Sequence, residues 1–425
     1  MRGRRPRPQI FRWENFDFLI GNFLLRFRHA PGDSPRQGFW EEACVSDRLP
    51  QDVDIAVIGA GIAGASVAAE LATSARVALL EREAQPGYHT TGRSAALFST
   101  IYGPAPIRAL SRASAPFFDA PPDGFAAGPL LSPRGVIMIA RQDQLGSVEA
   151  MLAELAQGSA VDRLDAAAIA AMVPMLRPGY AVAAVHEPGA RDIDVDALHQ
   201  GYLRRFRARG GRLVTDGGVD ALAHDGRGWR IDTPRGAIRA GTVVNAAGAW
   251  ADEIAVLAGA TPVGLVPKRR TAMIVSAPEG VSVSGYPTVV DIDEQFYLKP
   301  DSGRLLISPA DETPSPPCDA QPEEIDIAVC VDRIERAFDL KVARIDNKWA
   351  GLRSFVADKV PVAGYDPSVP GFFWLAGQGG YGIQSAPALA RFAAALVLRA
   401  DPPADIVEHG LDVRDLAPER PACRR

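Results

Sequence analysis

The most constraining feature of this 425-residue chain is a glycine turn with an apolar run in front of it and a helical pattern behind. Val53-Asp54-Ile55-Ala56-Val57-Ile58 predicts a short buried strand that runs into Gly59-Ala60-Gly61-Ile62-Ala63-Gly64. From Ala65 to Ser74 the spacing of Ala, Val and Leu predicts a helix, and Val77-Ala78-Leu79-Leu80 predicts a second strand ending on Glu81. The whole is a βαβ unit. A chain with 40 glycines can show GxGxxG by chance, but here each glycine has a task. Gly59 permits the tight turn, Gly61 lets the backbone approach a pyrophosphate, and Gly64 lets the helix pack on the strand. The helix N-terminus then offers free N–H groups to the anion. Glu81 stands 22 residues after Gly59, where a carboxylate accepts from the adenosine ribose hydroxyls. An acid there favours an unphosphorylated ribose, hence FAD or NAD over NADP.

Three further blocks favour FAD. The run Tyr88-His89-Thr90-Thr91-Gly92-Arg93-Ser94-Ala95-Ala96 is small and polar with one arginine, suited to wrapping a pyrophosphate and approaching an isoalloxazine ring. Val243-Val244-Asn245-Ala246-Ala247-Gly248-Ala249-Trp250 is a strand leading into small residues. Trp374-Leu375-Ala376-Gly377-Gln378-Gly379-Gly380-Tyr381-Gly382 is a second glycine turn, opening a helix through Ile383 and Gln384. Its dipole and loop N–H groups suit the negative charge of a reduced flavin.

Composition sets the outer bounds. Hydrophobic residues at 47% and charged residues at 23% can bury a large core, and the length favours two domains over one. A formal charge of −5 gives no reason to expect nucleic acid. Cys44, Cys318, Cys330 and Cys423 lie far apart without a CxxC pair, which argues against a zinc ribbon, an iron–sulfur cluster or a disulfide scaffold. We read them as reduced thiols of a cytoplasmic protein with no metal.

Met1 to Ala30 differs from the rest, with seven arginines against Glu14 and Asp17. Arg4-Arg5 before the apolar patch Phe16 to Phe27 invites a twin-arginine reading, but Asp17, Asn22 and Arg26 interrupt the patch and no small-residue cleavage site follows. Residues 1–50 are therefore expected to be a loosely packed leader or translated upstream sequence. A weak peripheral membrane contact through Trp13 and the Phe cluster is the alternative.

Downstream, helices are predicted over Val148 to Ala156, Ala166 to Met172 and Leu198 to Arg209. Strands are predicted at Arg212 to Val214, Trp229 to Asp232 and Thr242 to Asn245, with a second, antiparallel set at Ala272 to Val275, Thr288 to Ile292 and Arg304 to Ile307. Phe372 to Ala376 is the last strand, before a helix from about Ser385 to Leu398 with Pro387 in its first turn.

Together these blocks resemble the glycine oxidase, sarcosine oxidase and D-amino-acid dehydrogenase superfamily of FAD enzymes, and within it the bacterial D-arginine dehydrogenases in particular. The similarity runs from Asp52 to the Glu408-His409-Gly410-Leu411-Asp412 segment. It implies an α/β fold: a Rossmann-like FAD-binding domain interleaved with an α+β substrate domain built on a mixed, largely antiparallel sheet. The implied division gives residues 51–105, 186–258 and 345–412 to the FAD domain, 106–185 and 259–344 to the substrate domain, and 413–425 to a tail. Arg82 and Val219 join the implied cofactor site. Relatives with covalent flavin often use a cysteine before the last glycine loop. Trp349 to Tyr381 holds none, so noncovalent FAD is expected.

The resemblance also implies an amino-acid site. Arg270 and Arg353 match a carboxylate clamp, for which a planar guanidinium fork is suited, and Tyr102 and Tyr297 match tyrosines that close the pocket. The flavin takes the hydride from Cα, so the protein chiefly orients the substrate. No histidine stands at a base position: His186, His199, His224 and His409 look like surface or helix residues. Deprotonation is left to solvent or to a water near Gly380 and Gln384. The implied substrate wall comprises Ala95, Leu97, Ser99, Val136, Thr288, Val290 and Gly351. Val136 stands where the D-arginine enzymes carry a glutamate, so an apolar D-amino acid is expected rather than D-Arg or D-Lys. A quinone or similar carrier is expected as electron acceptor rather than O2. A glycine or sarcosine oxidase is the competing enzyme reading, and a catalytically silent flavin subunit the competing non-enzyme one.

Overall fold

The computed structural model describes residues 51–155 and 160–423. The expectations for residues 1–50 lie outside the described residues. The apolar run before the glycine turn forms the strand Asp52–Ile58, the centre of an eight-stranded sheet. It pairs in parallel with Val77–Leu80 on one side and with Gly236–Asn245 on the other. Beyond Val77–Leu80 lies Arg212–Val214, and Phe372–Ala376 pairs in parallel with the end of Gly236–Asn245. Parallel strands buried on both faces need continuous apolar sequence, which is why these were legible. The helices Ile62–Leu71, Ala105–Asp119, Val195–Ala208 and Gly382–Val397 share one core against this sheet.

A nine-stranded sheet forms the second layer system, ordered Thr313–Pro314, Val266–Ser276, Arg304–Ser308, Tyr297–Asp301, Thr288–Asp291, Val136–Ala140, Ala183–Glu187, Asp162–Asp165. Ile345–Phe355 also pairs with Val266–Ser276. Its pairs are antiparallel except Val136–Ala140 with Thr288–Asp291. The architecture is the mixed α/β arrangement expected. Sheet membership changes at other points than the divisions at 106, 186 and 345: the helix Ala105–Asp119 packs in the flavin-side core, while Ala183–Glu187 and Ile345–Phe355 belong to the nine-stranded sheet. Leu97–Phe98, Arg191–Ile193 and Leu131–Pro133 form a separate three-stranded antiparallel sheet.

Several boundaries shift for identifiable reasons. The first helix starts at Ile62, directly on the glycine turn. The third predicted helix starts at Val195 because the Asp194 carboxylate caps it, accepting from Ala197 N at 2.8 Å. Thr242–Asn245 is the end of a ten-residue strand, whose first half alternates in burial and so lacks an apolar run. The strand Val266–Ser276 extends well ahead of Ala272 through Lys268-Arg269-Arg270, whose charges are paired. Pro387 lies in the second turn of its helix, not the first. Near it, Ala388 N donates to Ser114 Oγ at 3.0 Å. Among the described residues, no helix is long and apolar enough to cross a membrane.

Candidate FAD and amino-acid site

The glycine turn is built as its spacing requires. Gly59 has φ +98°, and a Cβ there would lie 2.5 Å from Ala246 O. A Cβ on Gly64 would stand 1.7 Å from Gly59 O, so helix and strand touch backbone to backbone. The Ala60 peptide between them is held at both ends. Its N–H donates to Glu81 Oε2 at 2.9 Å, and its carbonyl accepts from His199 Nε2 at 2.8 Å. Glu81 also takes Glu83 N on Oε1 at 3.0 Å. A carboxylate offers about four lone-pair sites, so Glu81 both braces the turn and keeps capacity for a ribose. His199 is not a surface residue: it is buried, and burial pushes its imidazole pKa down. Glu81→Ala is expected to reduce bound flavin per protein after gel filtration, with a small loss of thermal stability. Full occupancy in that variant would remove Glu81 from the site.

The loop after the second strand reaches across to the other sheet. Thr91 Oγ1 accepts from Ile62 N at 3.0 Å at the helix start. Thr90 Oγ1 donates to Leu352 O at 2.7 Å, and Trp349 Nε1 donates to Arg93 O at 3.0 Å. Arg93 belongs to the run expected to wrap a pyrophosphate, and it lines the cavity. Its guanidinium donates to Ala320 O and Ala350 O, both at 2.9 Å, and pairs with Asp319. Its work is to fasten the loop to Ile345–Phe355.

These pieces enclose a cavity of about 570 Å3, within the ~300–1,000 Å3 typical of ligand pockets. Of the expected cofactor residues, Gly59, Gly61, Ile62, Ala63, Glu81, Arg82, Thr91, Arg93, Ser94 and Ala95 line it, as do Val219, Ala247, Gly248, Trp250, Gly377, Gly379, Gly380, Gly382 and Ile383. Ala60, Gly64, Gly92, Tyr381 and Gln384 stand outside its wall. Gly64 packs helix on strand, while Gly92 N closes the loop on Gly87 O at 2.7 Å. The two close-packed glycines and the open wall between the helix N-termini fit a dinucleotide.

The amino-acid end divides differently from expectation. Ala95, Arg270, Tyr297, Gly351, Arg353 and Gly380 line the cavity, whereas Leu97, Ser99, Tyr102, Val136, Thr288, Val290 and Gln384 do not. Val136 is buried within the sheet, opposite Glu187 on one side and Thr288 on the other. Ser99 Oγ donates to Glu187 Oε2 at 2.6 Å, and Ser99 N donates to Gln384 Oε1 at 3.2 Å. Glu187 also takes Thr100 N and Oγ1 at 2.8 and 2.7 Å. Sequence reading missed this buried carboxylate, because its partners lie 87 and 88 residues away.

The two arginines meet through strand register. Arg270 is opposite Gly351 and Lys268 is opposite Arg353, so Arg270 and Arg353 are diagonal neighbours on one face. A Cβ on Gly351 would lie 3.5 Å from Arg93 Cβ, so this glycine lets the loop that carries Arg93 pack against the strand. Arg270 is anchored: Nε donates to Asp311 O at 2.9 Å and an amino nitrogen stands 3.5 Å from Glu312, which also pairs with Lys268 and Lys359. No such partner holds Arg353 among the described residues. Burial disfavours its cation, but Tyr102, Tyr297, Glu294 and Tyr381 outweigh this and its pKa is raised. The Tyr102 and Tyr381 rings lie 5.0 Å apart edge to face. Burial, with Glu294, pushes the Tyr102 hydroxyl up, and burial, with Tyr102, pushes the Tyr381 hydroxyl up. Both stay neutral O–H donors through ordinary pH. Glu294 escaped the sequence reading; a turn residue with φ +53° in a charged run gives little local signal.

A family profile described as FAD dependent oxidoreductase (DAO) matches residues 54–396. The glycine oxidase of Geobacillus kaustophilus is 25% identical over 386 residues, 84% of this chain and 96% of that protein. Its crystal structure superposes with a TM-score of 0.73. The mouse mitochondrial dimethylglycine dehydrogenase is 27% identical over 257 residues, 56% of this chain. The chain spans under a third of the length of that relative. L-Proline dehydrogenase from P. horikoshii, at 20% identity and a TM-score of 0.70 over 83% of this chain and 94% of that one, shares the fold. With its glycine turn, its cavity and a profile match over most of its length, this chain belongs to the DAO family of FAD-dependent oxidoreductases.

Proposed function

We propose that the chain is a D-amino acid dehydrogenase that clamps the substrate carboxylate between Arg353 and Arg270. The observation that carries this is Arg353: a cation in the cavity wall, with no hydrogen bond or ion pair of its own among the described residues, diagonal to an anchored second arginine. Such a pair accepts a carboxylate bidentately. Tyr297 donates to the same group, with Tyr102 behind. The wall next to the clamp is Ala95 and Ala272, and the carboxylates in the cavity wall, Glu81, Asp216, Asp220 and Glu253, all belong to flavin-side segments. An apolar side chain fits better there than a guanidinium. His89 is the one histidine in that wall, so the substrate amine loses its proton to solvent or to a water near Gly380 and Gln384. Bound FAD supplies the hydride acceptor for the Cα–H bond. The released imine hydrolyses to a 2-oxo acid and ammonia, and electrons pass to a quinone or similar carrier.

A glycine or sarcosine-type oxidase is the second reading, favoured by the alignment with a glycine oxidase over nearly its whole length. Anaerobic bleaching of the bound flavin by D-amino acids, L-amino acids, glycine and sarcosine, followed by admission of air, tests both. Bleaching by D-amino acids with slow recovery in air supports a dehydrogenase; bleaching by glycine or sarcosine alone, with fast recovery, overturns it for the oxidase. FAD is held without a covalent bond, because Trp349 to Tyr381 carries no cysteine. Acid precipitation is therefore expected to leave the flavin in the supernatant; yellow colour in the pellet refutes this.

A further inference from the structure

His89 has one nitrogen satisfied and one without a partner. Its Nε2 lies 2.9 Å from Glu83 Oε1. A carboxylate only accepts, so Nε2 carries a proton, and in the neutral ring Nδ1 then presents a lone pair. That Nδ1 is buried and has no hydrogen-bond partner. The ring is fixed on two sides: its centroid is 4.7 Å from that of Trp250 and 5.0 Å from Tyr88. Arg82 stands 4.8 Å from the Trp250 centroid, with Nε 3.5 Å from the same Glu83 oxygen. Arg82, His89 and Trp250 all line the cavity, beside the turn that Glu81 braces. A buried polar atom left unpaired is unfavourable, and the cluster pins the ring so that it cannot turn to relieve it.

We infer that His89 is a cofactor-binding residue whose Nδ1 accepts a hydrogen bond from a sugar hydroxyl of FAD, with Glu83 as its positioning residue. The hydroxyls of FAD are on its ribose and its ribityl chain; the pyrophosphate has no proton to give at neutral pH. The inference concerns the cofactor alone and stands whichever amine is oxidised.

Two variants separate a cofactor contact from a structural one. His89→Asn keeps a polar atom near Nδ1 and loses the reach to Glu83; His89→Gln reaches Glu83 and empties the Nδ1 position. Full-length holoprotein is diluted stepwise and freed FAD is read by its fluorescence, with thermal melting recorded alongside. His89→Gln is expected to weaken FAD retention about tenfold at an unchanged melting temperature of the flavin-free protein, and His89→Asn to restore most of it. Displacement by ADP then distinguishes the sources. A loss shared by ADP assigns the ribose, and a loss confined to FAD assigns the ribityl chain. Retention unchanged in His89→Gln, or lost equally in both variants, overturns the assignment, as does retention that strengthens on acidification, which would make Nδ1 a donor to phosphate.

Discussion

Arg353→Ala is expected to lower kcat/KM for flavin reduction by about two orders of magnitude or more, while leaving flavin content and folding close to wild type. The size follows from removing one partner of a charge-assisted pair in a largely desolvated pocket, roughly 2–5 kcal/mol. The sparing of the fold follows from the absence of any hydrogen bond or ion pair to Arg353 among the described residues, so no carboxylate is stranded when it goes. Arg270→Ala should cost a similar factor, with Glu312 still neutralised by Lys268 and Lys359. Arg353→Lys should recover little, since an ammonium cannot present the two-pronged fork. Anaerobic stopped-flow reduction measures all three. A kcat/KM for Arg353→Ala within tenfold of wild type would remove the clamp from the proposed mechanism.

Gly64→Ala should yield protein with almost no bound FAD and a clearly lowered melting temperature. Its Cβ would stand 1.7 Å from Gly59 O and 3.4 Å from Ala246 Cβ, and no rotamer change relieves a clash between Cβ and backbone. Overpacking of this kind commonly costs about 1–3 kcal/mol and sometimes more, and here the displaced helix is the one whose N–H groups face the cofactor. Gly61→Ala offers the contrast. Its Cβ would meet only the Thr91 hydroxyl, at 3.1 Å, so the protein should fold nearly as well yet still bind FAD poorly, because the methyl occupies the approach of the pyrophosphate. Absorbance of flavin per protein, with melting curves of both variants, checks the ordering; equal melting temperatures would show that the helix tolerates the shift.

Legibility followed the range of the interactions. The glycine turn, its two strands and Glu81 were readable because one short stretch of chain holds them, whereas Ala246 and His199, which pack on and brace the turn, lie far off in sequence. The clamp was readable only through resemblance: Arg270 and Arg353 become neighbours by the pairing of Val266–Ser276 with Ile345–Phe355, a register that neither segment announces. Val136, Thr288 and Ser99 stand outside the cavity wall for the same reason. Their alternation along strands decides which face they take, and Ser99 turned out to be committed to Glu187. His199 had a usable signal. It shares the apolar stripe of Leu198, Tyr202, Leu203 and Phe206 on its helix, and a histidine on such a stripe is a candidate for a buried, bonded one.

The stitching of residues 90–93 to Ala350 and Leu352 makes the loop beside the dinucleotide and the strand bearing Arg353 a single mechanical piece. Whatever orders one orders the other, and such dependence is reciprocal. A carboxylate ligand saturating the proposed clamp must then tighten FAD binding by the same factor by which FAD tightens the carboxylate's. On the proposed reading, protein stripped of its flavin is therefore expected to bind a carboxylate ligand more weakly than the flavin-loaded protein.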